Sequence, residues 1–291
     1  MATLDQLDRL RRMNSALMGT DAESAEEAQA MRTTLPTGGQ PADIDDQVAQ
    51  ESIIFRRFRP VLAIRDNATV LAFDDPAEGK VWQARLQKAQ LALVKAIRAT
   101  GRIDLRRAGY EWVGTGWVVA EGILVTNRHV ADLFTEQGGR GLTFAATPDG
   151  PVEAVTDFLQ EVDNPAALRF DLIRPLHVEP KPGPDVAFFE IAPAAGGTRL
   201  AEPIPLATSV ELSETVATIG YPAFDSRIPD IDLMEQIYGQ VYDKKRLAPG
   251  SVTHIDDLRL WHTCTTLGGN SGSVVFDFDK GRTAERNRKV S

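Results

Sequence analysis

Cysteine is almost absent from this sequence. One residue, Cys264, in 291 positions excludes an internal disulfide and a multi-cysteine metal site. Long apolar runs are missing too: no stretch approaches the roughly 20 residues that a membrane-spanning helix needs. The N-terminus, Met1-Ala2-Thr3-Leu4-Asp5-Gln6, has no apolar core like that of a secretory signal. An excess of positive charge is lacking as well. The formal net charge of -9 argues against nucleic acid or an anionic membrane as the main partner. These absences lead to the expectation of a cytoplasmic protein with no membrane contact and no cofactor or metal. What is present is ordinary for a globular chain, with 43% hydrophobic and 25% charged residues. The length allows one large core or two modest ones.

Residues 3–18 repeat apolar side chains at Leu4, Leu7, Leu10, Met13 and Leu17, the spacing of one helix face. Self-association or docking of a partner is expected through that face. The acidic, small-residue stretch 19–45 reads as a linker, so 1–45 forms a first region. In 46–101, two apolar runs flank Arg65-Asp66-Asn67-Ala68 and suggest short strands around a turn. Asp75-Pro76-Ala77-Glu78 then reads as a capped helix start, with a helix over 76–99 and Gly101 as its terminal glycine. Beyond it the texture changes to short strands with glycine and proline turns, at 111–120, 122–127, 142–146, 152–159, 185–191, 216–219, 251–255 and 258–263. That pattern predicts an all-β sandwich or barrel.

The richest stretch is Thr265-Thr266-Leu267-Gly268-Gly269-Asn270-Ser271-Gly272-Ser273-Val274-Val275. It places Ser271 on a glycine-permitted turn at the mouth of an apolar strand. N–H groups turned inward around a serine are what an oxyanion hole requires. Alone, such a turn is most often only a turn. Two partners change that. His129 follows the strand 123–127, and Asp185 opens the apolar run Asp185-Val186-Ala187-Phe188-Phe189. A nucleophile, a base and an orienting acid therefore occur in the order His, Asp, Ser, each beside its own strand.

Thr126-Asn127-Arg128-His129-Val130, Asp185-Val186-Ala187-Phe188 and Gly268-Gly269-Asn270-Ser271-Gly272-Ser273 resemble the three signature segments of trypsin-like (chymotrypsin-fold) serine peptidases. The Asn-Ser-Gly-Ser form looks most like the glutamyl-endopeptidase and HtrA-like branches. The likeness spans roughly 102–279. It implies two antiparallel six-stranded barrels, over 102–200 and 201–291, preceded by a mainly helical extension, with the site in the cleft between them. It also implies a peptide or protein substrate and a catalytic triad of His129, Asp185 and Ser271, with an oxyanion hole from the N–H groups of Gly269 and Ser271. An α/β-hydrolase would need Gly-x-Ser-x-Gly and the order Ser, Asp, His, which this chain lacks.

Two departures from that pattern stand out. Asn270 occupies the place where zymogens of the family carry an aspartate, so activation by a new N-terminal ammonium is not expected. The last ten residues, Arg282 to Ser291, are too polar for the buried strand that should follow, so the second barrel is expected to be incomplete. The chain would then be a truncation or the front part of a longer polypeptide. Thr266 falls where glutamyl endopeptidases place a pocket threonine, a weak pointer to an acidic residue before the cut bond. His254 and His262 read as ordinary strand residues. Besides the peptidase, two readings remain: a catalytically impaired binding module of the same fold, and an adaptor that works through its N-terminal helix.

Overall fold

A computed structural model describes residues 60–284 apart from positions 74–75, 140, 194–198, 208, 213, 225–230 and 257–258. The helix expected at 3–18, its linker and residues 285–291 lie outside the described part. The described residues open with a tight hairpin, β1 (Leu62–Arg65) and β2 (Ala68–Thr69), whose turn residues Asp66 and Asn67 adopt positive φ. Aspartate and asparagine tolerate that backbone better than other side chains. Two helices follow, α1 (Pro76–Lys88) and α2 (Gln90–Arg98). The single helix expected over 76–99 is thus interrupted at Ala89, where ψ is 1°. The Ala89 N–Arg85 O and Leu93 N–Ala89 O hydrogen bonds still cross the break. Trp82, Leu86, Leu93 and Ile97 turn inward from this pair.

Gly101 does not end the helix as expected. It is the second residue of β3 (Thr100–Arg106), at a place that needs glycine because a Cβ would lie 2.4 Å from Thr156 Oγ1. The chain continues through β4 (Trp112–Ala120), β5 (Ile123–Thr126), the one-turn helix α3 (Arg128–Ala131) and two small hairpins. These are β6 (Thr135–Gly138) with β7 (Gly141–Phe144), and β8 (Ala146–Thr147) with β9 (Gly150–Pro151). Strands β10 (Glu153–Asp157), β11 (Arg169–Val178) and β12 (Ala187–Ile191) complete the first half.

Strands β3, β4, β5, β12, β11 and β10 close into an antiparallel barrel in that order. Alternate residues such as Ile103, Leu105, Leu124, Phe170 and Phe189 fill it. Phe189 stacks on Phe134 with ring centroids 5.1 Å apart, and Phe158 meets Phe170 edge-on at 5.8 Å. Burying each ring contributes roughly 2–3 kcal/mol. Strand β11 has no counterpart in the sequence expectation. Pro175 sits inside it, accommodated by register shifts between Leu172 and Arg174 and between Pro175 and His177.

The second half contains β13 (Thr215–Gly220), α4 (Ile231–Tyr238), β14 (Arg246–Ile255), β15 (Leu260–His262), β16 (Val274–Asp277) and β17 (Arg282–Thr283). They form an open sheet ordered β17-β16-β13-β14-β1-β2, with β15 also on β14. The hairpin β1–β2 is therefore part of this sheet: Leu62 pairs with Leu247 and Ala63 with Arg246. The polarity of the last ten residues misleads at their start. Arg282 and Thr283 do pair with Asp277 and Phe276, and Thr283 and Ala284 are fully buried. Thr283 Oγ1 accepts the Ala207 N–H at 3.1 Å, so its burial leaves no orphan.

The all-β class holds: one closed barrel and a second, open sheet hold most of the described strands. Between them lies Lys245, with no exposed surface. Its ammonium donates to Ile97 O (2.8 Å) and Phe158 O (2.7 Å) and lies 3.8 Å from Glu161. Burial pushes it down to about 8, against the opposing pull of Glu161 and Asp157. Among the described residues no helix is long and apolar enough to cross a membrane.

Candidate active site

The pairing of β5 with β12 sets Thr126 opposite Ala187. The residues just beyond each strand, His129 on α3 and Asp185 before β12, are thereby brought together. His129 Nδ1 donates to Asp185 Oδ2 at 2.6 Å, and the His129 backbone N–H donates to Asp185 Oδ1 at 3.0 Å. One carboxylate thus fixes both the ring and the helix turn that carries it. Arg128 Nη1 donates to the carbonyls of Gly183 and Pro184, at 3.1 and 3.2 Å, and anchors the loop leading into Asp185. Burial raises the Asp185 carboxyl, but the His129 hydrogen bonds and charge and the Arg128 charge outweigh it, so the group titrates below its ordinary value. The far nitrogen of the ring, His129 Nε2, is buried and has no hydrogen-bond partner among the described residues.

Ser271 lies on the turn between Leu267 and Val274. Gly269 and Gly272 have φ of +81° and +83°, in the left-handed region that side chains avoid. Space excludes a side chain as well: a Cβ on Gly272 would lie 2.0 Å from Thr115 O, and one on Gly269 would lie 2.4 Å from Tyr221 O. The turn is held from several directions. Thr115 N–H donates to Ser271 O at 2.9 Å, and Thr115 Oγ1 donates to Gly269 O at 2.9 Å while accepting from Tyr221 N–H at 3.2 Å. Ala223 N–H donates to Gly268 O at 2.7 Å. Because a trans peptide points its C=O and N–H in opposite directions, that bond turns the Gly269 N–H away from Ala223. The N–H groups of Gly269 and Ser271 donate no hydrogen bond among the described residues.

The serine turn and the histidine helix meet across Gly114. A Cβ there would lie 3.0 Å from Ser271 O and 3.1 Å from a Val130 methyl. Asn127, in extended conformation just before α3, bridges the rest. Its Nδ2 donates to Asp185 O at 2.8 Å, and its Oδ1 accepts the Gly272 N–H. His129, Asp185 and Ser271 therefore sit on three segments tied directly to one another.

The other expected residues fall as follows. Thr266 is only 5% exposed, inside the segment that leads to the serine turn. Asn270 Oδ1 accepts from Ser273 Oγ at 3.3 Å, so its amide serves the turn itself. His254 and His262 lie in β14 and β15. His262 Nδ1 accepts from Cys264 N–H at 3.2 Å, and burial lowers it to about 4. The holding roles of Thr115, Asn127 and Ala223 escaped the sequence. Glycines on both sides of Thr115 were the one signal, since they mark a close backbone approach. Among the described residues no cluster of histidine, cysteine and acidic side chains could hold a metal.

Comparison with the curated proteins finds no match. Among solved structures, Deg5 is 18% identical, with a TM-score of 0.44, covering 72% of this chain and 86% of its own. The inactive form of a mutant of Rv3671c from M. tuberculosis H37Rv is 16% identical, with a TM-score of 0.37, covering 73% and 80%. The trypsin-like peptidase domain matches residues 114–283, more than half of the chain and every segment that builds the site, so the chain belongs to the trypsin-like peptidase family.

Proposed function

We propose that this peptidase is a serine endopeptidase that works through an acyl-enzyme. Ser271 Oγ attacks the carbonyl carbon of a peptide bond while His129 Nε2 takes its proton. The Gly269 and Ser271 N–H groups receive the developing oxyanion; losing one such donor raises the barrier by about 2.7–4 kcal/mol. His129 then gives the proton to the departing amine. A water deprotonated by His129 attacks the acyl-enzyme and releases the new carboxyl end. Asp185 keeps the proton on Nδ1, leaving Nε2 as the base, and stabilises the imidazolium that forms.

The observation that carries this reading is the double hold of Asp185 on His129, at 2.6 and 3.0 Å, with Nε2 left unpartnered. A fluorophosphonate probe is expected to label Ser271 in the wild-type protein and to leave Ser271→Ala unlabelled. A folded wild-type sample that takes no label would overturn the reading.

One observation favours the impaired-module alternative: β15 and β17 are not joined by a further strand among the described residues. Casein or peptide hydrolysis that disappears in His129→Ala rejects it. The proposal also includes partner docking or self-association through residues 3–18. It is dropped if removing residues 1–45 leaves both the solution mass and the activity unchanged. An acidic residue before the cut bond, read from Thr266, is the remaining part of the proposal, and a peptide library decides it.

A further inference from the structure

Asn127 stands at the position that caps helix α3, and asparagine is a favoured capping residue. Yet its side chain makes no capping bond. The carboxylate of Asp185 takes that place by accepting the His129 N–H. The Asn127 amide is thereby free to bond Asp185 in its own half and Gly272 in the other.

Both of its ends meet groups that matter to the chemistry. The Ser271–Gly272 peptide unit is held at its oxygen by Thr115 N–H and at its N–H by Asn127 Oδ1. With both polar atoms fixed, the plane of that peptide, which contains the Ser271 Cα, is set. At the other end, Asn127 Nδ2 fixes the Asp185 carbonyl, and so the backbone from which the carboxylate projects. The same residue stands two positions before His129. One planar amide, with a donor end and an acceptor end, therefore sets the acid and the nucleophile against the base.

We infer that Asn127 is a positioning residue that registers Asp185 and Ser271 on His129. This rests on the serine-peptidase reading for its kinetic consequence, though not for its geometry. An amide is the group the site requires. Aspartate could accept from Gly272 N–H but could not donate to Asp185 O, and alanine could do neither. A misplacement of about 1 Å in such a constellation costs on the order of a hundredfold in rate.

The test compares wild type, Asn127→Ala and Asn127→Asp in three measurements: thermal midpoint, kcat and KM on a peptide substrate, and the low-field NMR resonance of the His129 Nδ1 proton. Asn127→Ala is expected to keep its fold and its KM, to lose kcat by about a hundredfold, and to show a broadened or shifted Nδ1 resonance. Asn127→Asp is expected to show the same perturbed resonance and a loss of kcat, since the bond to Asp185 is the one it cannot make. Should Asn127→Ala fail to fold, the aspartate variant carries the test. A folded variant with wild-type kcat and an unchanged resonance overturns the inference. If instead the wild type neither turns over substrate nor takes the fluorophosphonate, yet the resonance still responds to Asn127, the positioning role stands and the peptidase reading falls.

Discussion

The two halves of the molecule follow the same plan to different ends. In the first, strands one to six pair in the order 1-2-3-6-5-4 and the sheet returns on itself. In the second, β13, β14 and β15 repeat the 1-2-3 path and β13, β16 and β17 the 1-4-5 path. No sixth strand joins them among the described residues. The interiors differ as well. Phe134, Phe158, Phe170 and Phe189 of the closed half share one core with Ile219, Leu247, Phe276 and Phe278 of the open half, whereas a second cluster, on the open sheet alone, is made of small side chains such as Ala207, Val216, Ala248 and Cys264. The serine turn belongs to the open half, but much of its hold comes from the closed one, through Thr115 and Asn127. The placing of Ser271 is thus lent by the barrel that carries His129 and Asp185.

The sharpest way to break this comparison is at the seam. Gly272→Ala places a methyl 2.0 Å from Thr115 O on a residue with φ of +83°. Activity is expected to fall at least a hundredfold, since a shift of about 1 Å is enough for that. Rates on a peptide substrate, with circular dichroism to confirm folding, check it.

Packing should separate the halves next. Phe189→Ala, in the stacked core of the barrel, is expected to lower stability by about 3–5 kcal/mol. Val216→Ala, buried in the open sheet, is expected to cost only about 2 kcal/mol. Urea unfolding measures both, and an equal loss would remove the contrast between the cores.

Lys245 tests how the halves are joined. Lys245→Met leaves Glu161 buried without its cation and two carbonyls without a donor, an expected loss of about 3 kcal/mol. The same residue should leave a pH signature. Its folded pKa, about 8, lies below the unfolded value of 10.5, so between those pH values the unfolded chain holds more proton. Wild-type stability should therefore carry a rising contribution across that window, and Lys245→Met should lose it.

The smallest effect belongs to the surface. Arg65 and Asp163 are 2.5 Å apart but 52% and 72% exposed, so Arg65→Ala should change stability by no more than about 0.5 kcal/mol. A larger loss would mean that the β1–β2 hairpin leans on this pair more than on its strand pairing.

Much of the site was legible because each chemical residue stands beside a strand whose pattern is clear. His129 follows the apolar Ile123–Val125 run, Asp185 precedes Ala187–Ile191, and Ser271 stands among glycines. What stayed hidden depends on distant register. Pro175 disguised β11, since a bulge that tolerates proline leaves no local mark. Pro249 and Gly250 disguised the first half of β14, where Pro249 falls between the registers of β1 and β15. Thr283 reads as polar, and its burial is met by bonds to residues far away in sequence, among them Ala207 and Pro205. The role of Asn127 could not be read from its neighbours because both of its partners are more than fifty residues away.

The pairing of β1 with β14 also has a consequence in time. The open sheet joins a strand from near the start of the described residues to one from near their end. Contacts so far apart in sequence are slow to form, because the chain must close a long loop before it gains them. On a ribosome the closed barrel can finish while β1 still waits for β14, so the hairpin at Leu62–Thr69 must stay available until the second half emerges. The turn that bears Ser271 would then settle last, after the closed barrel has formed.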